Sequence, residues 1–180
     1  MTCLVNNNMT MKRFSLLLSG SLLFTSANVV MARQDCNQNI PSSTPVQRFN
    51  DQGNGTLIDV STGLMWKKCL EGQTGERCVG RAVRMEWDKA VSLAQLSNSD
   101  KFAGYSGWRL PTLDELGTLV DKRCIEPAVN NDLFPNMLAV GLWSVNQSDP
   151  LAWSMDFGKG RAYEHFKGAG KYIRLVRNLR

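Results

Sequence analysis

The residues best suited to chemistry gather near the end of the chain. From Lys159 to Arg180 stand seven basic residues (Lys159, Arg161, Lys167, Lys171, Arg174, Arg177 and Arg180) against one acid, Glu164, a local charge of +6. Side chains of a strand alternate with period two, so a strand over 161–167 puts Arg161, Tyr163, His165 and Lys167 on one face. With Lys159 and Lys171 beside them they make a basic strip that holds an aromatic ring. Arginine forks match sulfate and carboxylate oxygens, and the ring offers a stacking surface. The expected partner is an anionic polysaccharide or glycosaminoglycan-like ligand, bound without calcium. Two bland readings stand beside it. Lysines guard solvated strand edges against aggregation. A one-residue slip of register would bury the strip and turn out Ala162, Glu164 and Phe166 instead.

Other chemistries find less in the sequence. His165 is the single histidine, and no motif pairs it with a nucleophile. Gly104-Tyr105-Ser106-Gly107 lacks the Gly-x-Ser-x-Gly spacing of a nucleophile elbow. Glu126-Pro127-Ala128 and Trp143-Ser144-Val145-Asn146 miss the ligand pattern of calcium-dependent sugar binding. Paired carboxylates able to hydrolyse a glycoside are set by folding and are not legible here. No catalytic, metal or cofactor site is expected.

These residues need elements to hold them. Asn50 to Gly55 is dense in turn formers, with Val46 to Phe49 a short strand before it and Thr56 to Val60 a strand after it. Ser61-Thr62-Gly63 turns the chain into another strand, Leu64 to Lys67. Glu86 to Leu96 carries Trp87, Ala90, Val91 and Ala94 at helical spacing. Thr112 and Glu115 form a capping box opening a second helix with the stripe Leu113, Leu116, Leu119 and Val120. Leu142 to Val145 is a strand. Leu151, Trp153, Met155 and Phe157 alternate with Ala152, Ser154 and Asp156, which predicts a strand with the larger set buried. Arg161 to Phe166 and Lys171 to Arg177 follow. Strands, two helices, then strands is an α+β order. The five tryptophans, Trp66, Trp87, Trp108, Trp143 and Trp153, each sit in an apolar pattern and are expected in the core. Arg109 is expected to satisfy backbone carbonyls rather than bind ligand.

The N-terminal residues read as a leader. Lys12 and Arg13 precede the apolar run Phe14 to Phe24, and Val30-Met31-Ala32 offers small or medium residues ahead of Arg33. This is the layout of a secretory signal peptide over 1–32, with Met11 a plausible true start. The run is shorter than the roughly 20 apolar residues a spanning helix needs, so no stable anchor is expected. Residues 33–45 form an extended lead-in and 46–180 the domain. Loss of Lys12 and Arg13 leaves 19 basic and 16 acidic residues, a net +3. That mild charge and export both argue against a nucleic-acid partner. The expected location is the periplasm or the cell exterior. There an even set of four cysteines reads as disulfides. Three pairings exist in principle. The Gly-containing loop between Cys69 and Cys78 can bring its ends together, which leaves Cys36 to pair with Cys124. With no Cys-x-x-Cys and one His, a metal site is not expected.

Several blocks resemble a known family. They are Arg48-Phe49-Asn50-Asp51 with Gly53-Asn54-Gly55-Thr56, Thr62-Gly63-Leu64-Met65-Trp66-Lys67-Lys68-Cys69, and Phe102-Ala103-Gly104-Tyr105-Ser106-Gly107-Trp108-Arg109-Leu110-Pro111-Thr112 with Glu115-Leu116. Pro127-Ala128-Val129-Asn130, Phe134-Pro135-Asn136, Trp143-Ser144 and Tyr172-Ile173-Arg174-Leu175-Val176-Arg177 complete the set. In this order, across nearly all of 36–177, the chain resembles the Lcl C-terminal domain family. The resemblance implies a C-type-lectin-like fold, akin to the formylglycine-generating-enzyme type, in exported proteins. The family is named for a collagen-like adhesin that binds sulfated polysaccharides; this chain has no collagen-like repeats. The leading expectation is an exported, non-catalytic, adhesin-like recognition module. The rivals are a carboxylate-dependent enzyme on envelope polysaccharide and a subunit of a surface assembly. An acidic pair in a cleft would mark the enzyme, a basic face the binder, and a broad apolar patch the assembly.

Overall fold

A computed structural model describes residues 34–179. The signal-peptide reading of 1–32 and the basic residue Arg180 lie outside them. In chain order the elements are β1 (Asp35–Cys36), β2 (Phe49–Asp51), β3 (Thr56–Asp59), β4 (Leu64–Lys67), β5 (Arg84–Met85), α1 (Trp87–Ser99), α2 (Leu113–Gly117), β6 (Cys124–Ile125), β7 (Gly141–Ser148), β8 (Leu151–Asp156), β9 (Arg161–Phe166), β10 (Lys171–Tyr172) and β11 (Val176–Asn178). The α+β order stands. One sheet runs β11-β4-β3-β2, all antiparallel, and a second runs β5-β10-β7-β8-β9. Within the second sheet only β10 and β7 pair in parallel. Strands β1 and β6 make a separate two-stranded ribbon.

Two apolar clusters hold the layers together. One joins Leu57 and Trp66 of the first sheet to Leu116, Phe134, Leu142, Met155 and Phe157. The other packs α1, through Trp87, Ala90 and Ala94, on Trp108, Trp143, Ala152, Ile173 and Leu175. Four tryptophans are therefore core residues as expected, while Trp153 is half-buried. Helix α1 ends at Ser99, three residues beyond the apolar pattern, because Ser97 faces inward to Lys67.

Four local expectations change. The last strand, expected over Lys171 to Arg177, is two short strands, β10 and β11, in different sheets, because the chain crosses between the two sheets at 173–175. Val46–Arg48 is a 3-10 turn, and the strand begins only at Phe49. The turn brings the Arg48 guanidinium onto the fully buried carboxylate of Asp59. Helix α2 has the capping box, with Glu115 N–H donating to Thr112 Oγ1 at 3.1 Å and Thr112 N–H to Glu115 Oε2 at 2.7 Å. It runs only five residues, however. Gly117 and Thr118 end it, the Thr118 hydroxyl donating to the Glu115 carbonyl at 2.7 Å, so Leu119 is buried from a turn. In β8 the fully buried members are Ala152 and Ser154, while Leu151 and Trp153 are half-buried. The strand is internal to its sheet, so the alternation sorts large from small rather than inside from outside. The small face leaves room for Trp143, which lies in register beside Ser154.

Both disulfides form as expected, Cys36–Cys124 and Cys69–Cys78. The lead-in is tied down as well. Ser42 Oγ donates to Asp121 Oδ2 at 2.6 Å, and Gln34 Nε2 to the Pro127 carbonyl at 2.7 Å. Arg174 is fully buried. It donates through Nη1 to the carbonyls of Lys67 (2.8 Å) and Lys68, with its guanidinium carbon 4.5 Å above the Phe134 ring. Burial pulls its pKa down to about 9, so it stays charged at neutral pH.

Candidate functional site

Strand β9 is the outer strand of the five-stranded sheet, and both of its faces meet solvent. Tyr163 is 42% exposed on one face and Phe166 is 68% exposed on the other. Arg161, Tyr163 and His165 lie in register beside Asp156, Ser154 and Ala152, which places them on the face that carries Trp143. The strip is thus outward for Arg161 and Tyr163 and half-buried for His165.

The fold gathers part of the expected set and disperses the rest. Tyr163, His165 and Lys171 line one open hollow of about 510 Å³, together with Arg84, Asp156, Ser154 and Gly141. Lys171 arrives there because β10 inserts between β5 and β7; Arg84 arrives on β5. Arg84 is fixed by donating Nε and Nη2 to the Gly170 carbonyl at 3.3 and 3.0 Å. Lys159 and Arg161 are exposed nearby but do not line the hollow. Lys167 does not join it. It lies past the end of β9, its Nζ donates to Asp149 Oδ1 at 2.7 Å, and it stands 4.9 Å over the Trp87 ring. Two further members of the basic run are spent on structure. Arg174 is buried, and Arg177 donates Nε to the Ser106 carbonyl at 2.9 Å while lying over Tyr105. The sequence overstates the basic surface because charge counts ignore burial.

Electrostatics in the hollow follow from crowding. Burial lowers the His165 pKa below the ordinary imidazole value, Lys171 adds to the effect, and Asp156 partly offsets it. The imidazole is therefore neutral at pH 7. Its ring packs edge-on to Trp143 with centroids 6.3 Å apart. Burial likewise lowers Lys171, with Arg84 adding to it and Asp156 opposing it. Ser154, Asp156 and Arg84 are participants that sequence reasoning missed. Only the strand order brings them together, and no spacing motif encodes it.

A second cleft of about 520 Å³ lies between the Asn50–Gly55 turn, Phe102 and the loop closed by Cys69–Cys78. It is the more enclosed of the two, and its acidic groups Asp51 and Glu71 are each ion-paired with a lysine. Asp51 Oδ2 pairs with Lys68 Nζ at 2.6 Å, and Glu71 Oε1 with Lys67 Nζ at 2.9 Å. Lys67 also donates to Ser97 Oγ at 2.9 Å and lies 4.1 Å over the Phe102 ring. For Asp51, burial works to raise the pKa, but the hydrogen bonds from Lys68 and Gly53 outweigh it and hold the group ionised. These carboxylates are braces, each held by a lysine. Arg109 is likewise structural, forking onto Glu115 at 2.7 Å by both terminal nitrogens and reaching the Leu110 carbonyl. Among the described residues no cluster of His, Cys, Asp and Glu has metal-site geometry, and no helix is long and apolar enough to cross a membrane.

The model of the Lcl C-terminal domain matches residues 55–177, a span that contains both clefts' main walls. No curated protein matches the chain.

Proposed function

The chain belongs to the Lcl C-terminal domain family, and from that premise we propose that it is an exported, non-catalytic recognition module of C-type-lectin-like fold that binds anionic polysaccharide. The observation that carries this reading is the convergence of Lys171, Arg84, His165 and Tyr163 on one open hollow, with Arg161 and Lys159 exposed beside it. Two cations in a recess attract an anionic chain, and the outer lysine and arginine extend the field along the strand. The signal-peptide layout read over 1–32 and the two disulfides support export to an oxidising compartment.

The test is retention of the secreted protein on a heparin column against an Arg84→Ala, Lys171→Ala double variant. Wild type is expected to bind at low salt and to elute as salt rises and the screening length falls to about 8–10 Å. The double variant is expected to pass through. Equal retention of the two proteins would remove the hollow as the site.

A further inference from the structure

Resting on the polysaccharide reading, we infer that the hollow recognises one hexuronic acid unit, its carboxylate against Lys171 and Ser154 and its ring hydroxyls against Asp156, rather than a polysulfated run.

Ser154 is the first observation. Its side chain is fully buried under the hollow, and its Oγ has no hydrogen-bond partner in the protein. Buried hydroxyls are normally paired, so an unpartnered one beneath a surface recess is available to a ligand atom. The neighbouring residue is Gly141, the first of β7. It does not have a positive φ, so its backbone does not demand glycine. What a side chain would cost is space. A Cβ there would stand 3.3 Å from Ser154 Oγ, 3.2 Å from Lys171 Cδ and 3.7 Å from Lys171 Nζ. Glycine within a strand commonly marks such a close approach. The lysine stem lies across this gap, and a rotation of that flexible side chain opens Ser154 to an oxyanion drawn to the ammonium.

The charge balance sets the ligand class. Arg84 and Lys171 supply two positive charges, Asp156 one negative charge, and His165 is neutral. The residues that line the hollow therefore carry +1, which one carboxylate neutralises, with Arg161 and Lys159 outside it along the strand. Asp156 makes no ion pair among the described residues. Its Oδ1 accepts the Gly158 N–H at 2.7 Å, which leaves the other oxygen to accept from sugar hydroxyls. A run of sulfates would set further negative charge against Asp156; a sugar with one carboxylate and several hydroxyls would not. Tyr163, at the rim, offers its ring to the sugar face.

The experiment titrates the secreted protein by calorimetry with an oligogalacturonate, an oligoglucuronate, dextran sulfate and neutral dextran at about 0.15 M salt. Both oligouronates, or one of the two epimers, are expected to bind saturably and neutral dextran not at all. Gly141→Ala and Ser154→Ala are each expected to weaken the uronate about tenfold, as loss of one charge-assisted hydrogen bond does, while leaving dextran sulfate unchanged. Asp156→Asn is expected to weaken the uronate and tighten dextran sulfate. Melting curves matching wild type confirm that each variant folds. If dextran sulfate binds but the uronates do not, or if Asp156→Asn tightens both alike, the uronate inference fails and the broader polysaccharide reading survives. If no polyanion binds, both fall.

Discussion

His165 stands where its titration reports on the hollow. The groups that face it are Lys171 and Arg84 from β10 and β5, Asp156 from β8, and Tyr163 from its own strand. Its folded pKa lies below the ordinary value, so protonation begins only in mildly acidic solution. That proton adds a positive charge to an anion site, so polyanion affinity is expected to rise as pH falls through this range. Binding measured between about pH 7 and pH 5 checks this. His165→Gln is expected to flatten the profile, and an unchanged slope would show that the histidine does not face the ligand. Arg174 illustrates the opposite fate for a basic residue. Arg174→Ala leaves the Lys67 and Lys68 carbonyls unpaired and empties the space over Phe134. The expected loss is about 2–4 kcal/mol in chemical denaturation, with no direct change at the hollow. Nothing in the residue count separates Arg174 from Arg161. Burial decides, and burial is a property of the folded chain.

At the scale of elements, the local signals with a stereochemical cause are the ones legible in the sequence. Thr112 and Glu115 cap α2 as the spacing requires, and Thr112→Ala is expected to cost about 0.5–2 kcal/mol in the denaturation midpoint. The Cys69–Cys78 loop closes because it is short and contains glycines, and the remaining pair follows. The two bridges differ in how much chain they constrain, with sequence separations of 88 and 9 residues. By loop-closure entropy the long bridge contributes about 4–5 kcal/mol and the short one about 2–3 kcal/mol. Cys36→Ser with Cys124→Ser is therefore expected to lower the melting temperature more than Cys69→Ser with Cys78→Ser, and calorimetry of the two double variants decides it. What failed was inference from alternation alone. Period two correctly gave a strand at β8 but not which face is covered, because an internal strand between two cores buries both. The short turn at Val46–Arg48 was hidden for a related reason, since its partner Asp59 lies 11 residues on.

Across the whole molecule, acid stability follows from carboxylates tied into the frame. For Asp59 and Asp121, burial works to raise the pKa, but Arg48 in one case and Ser42 with its neighbours in the other outweigh it and leave the group lowered. Glu115 behaves likewise through Arg109 and the cap. A folded pKa below the unfolded one contributes stability above the unfolded value, which is lost as pH falls through the folded value. These carboxylates thus add no slope from neutral pH down to about pH 4 and a fall below it. His165, whose folded pKa is lowered by burial, adds a smaller decline that begins as pH drops below its unfolded value of about 6.5. Asp59→Asn, by breaking a buried pair, is expected to cost about 3–5 kcal/mol at pH 7 and to reduce the acid slope. Equilibrium denaturation across pH checks both. The α+β order was legible from the run of elements. The site was only half legible, because Arg84, Ser154 and Asp156 meet Lys171 through a sheet order of β5-β10-β7-β8-β9 that no stretch of sequence announces.

The placement of Arg174 also sets a clock. Its guanidinium is the partner of two carbonyls made more than 100 residues earlier, at Lys67 and Lys68, and β11 completes the first sheet only at Val176–Asn178. A growing polypeptide therefore waits, with one sheet lacking its edge and one pair of acceptors unanswered, until Arg174 and Val176–Asn178 have been made. A chain that stops before Arg174 lacks the donor and the edge strand at once, and limited proteolysis is expected to cut it under conditions that spare the whole domain.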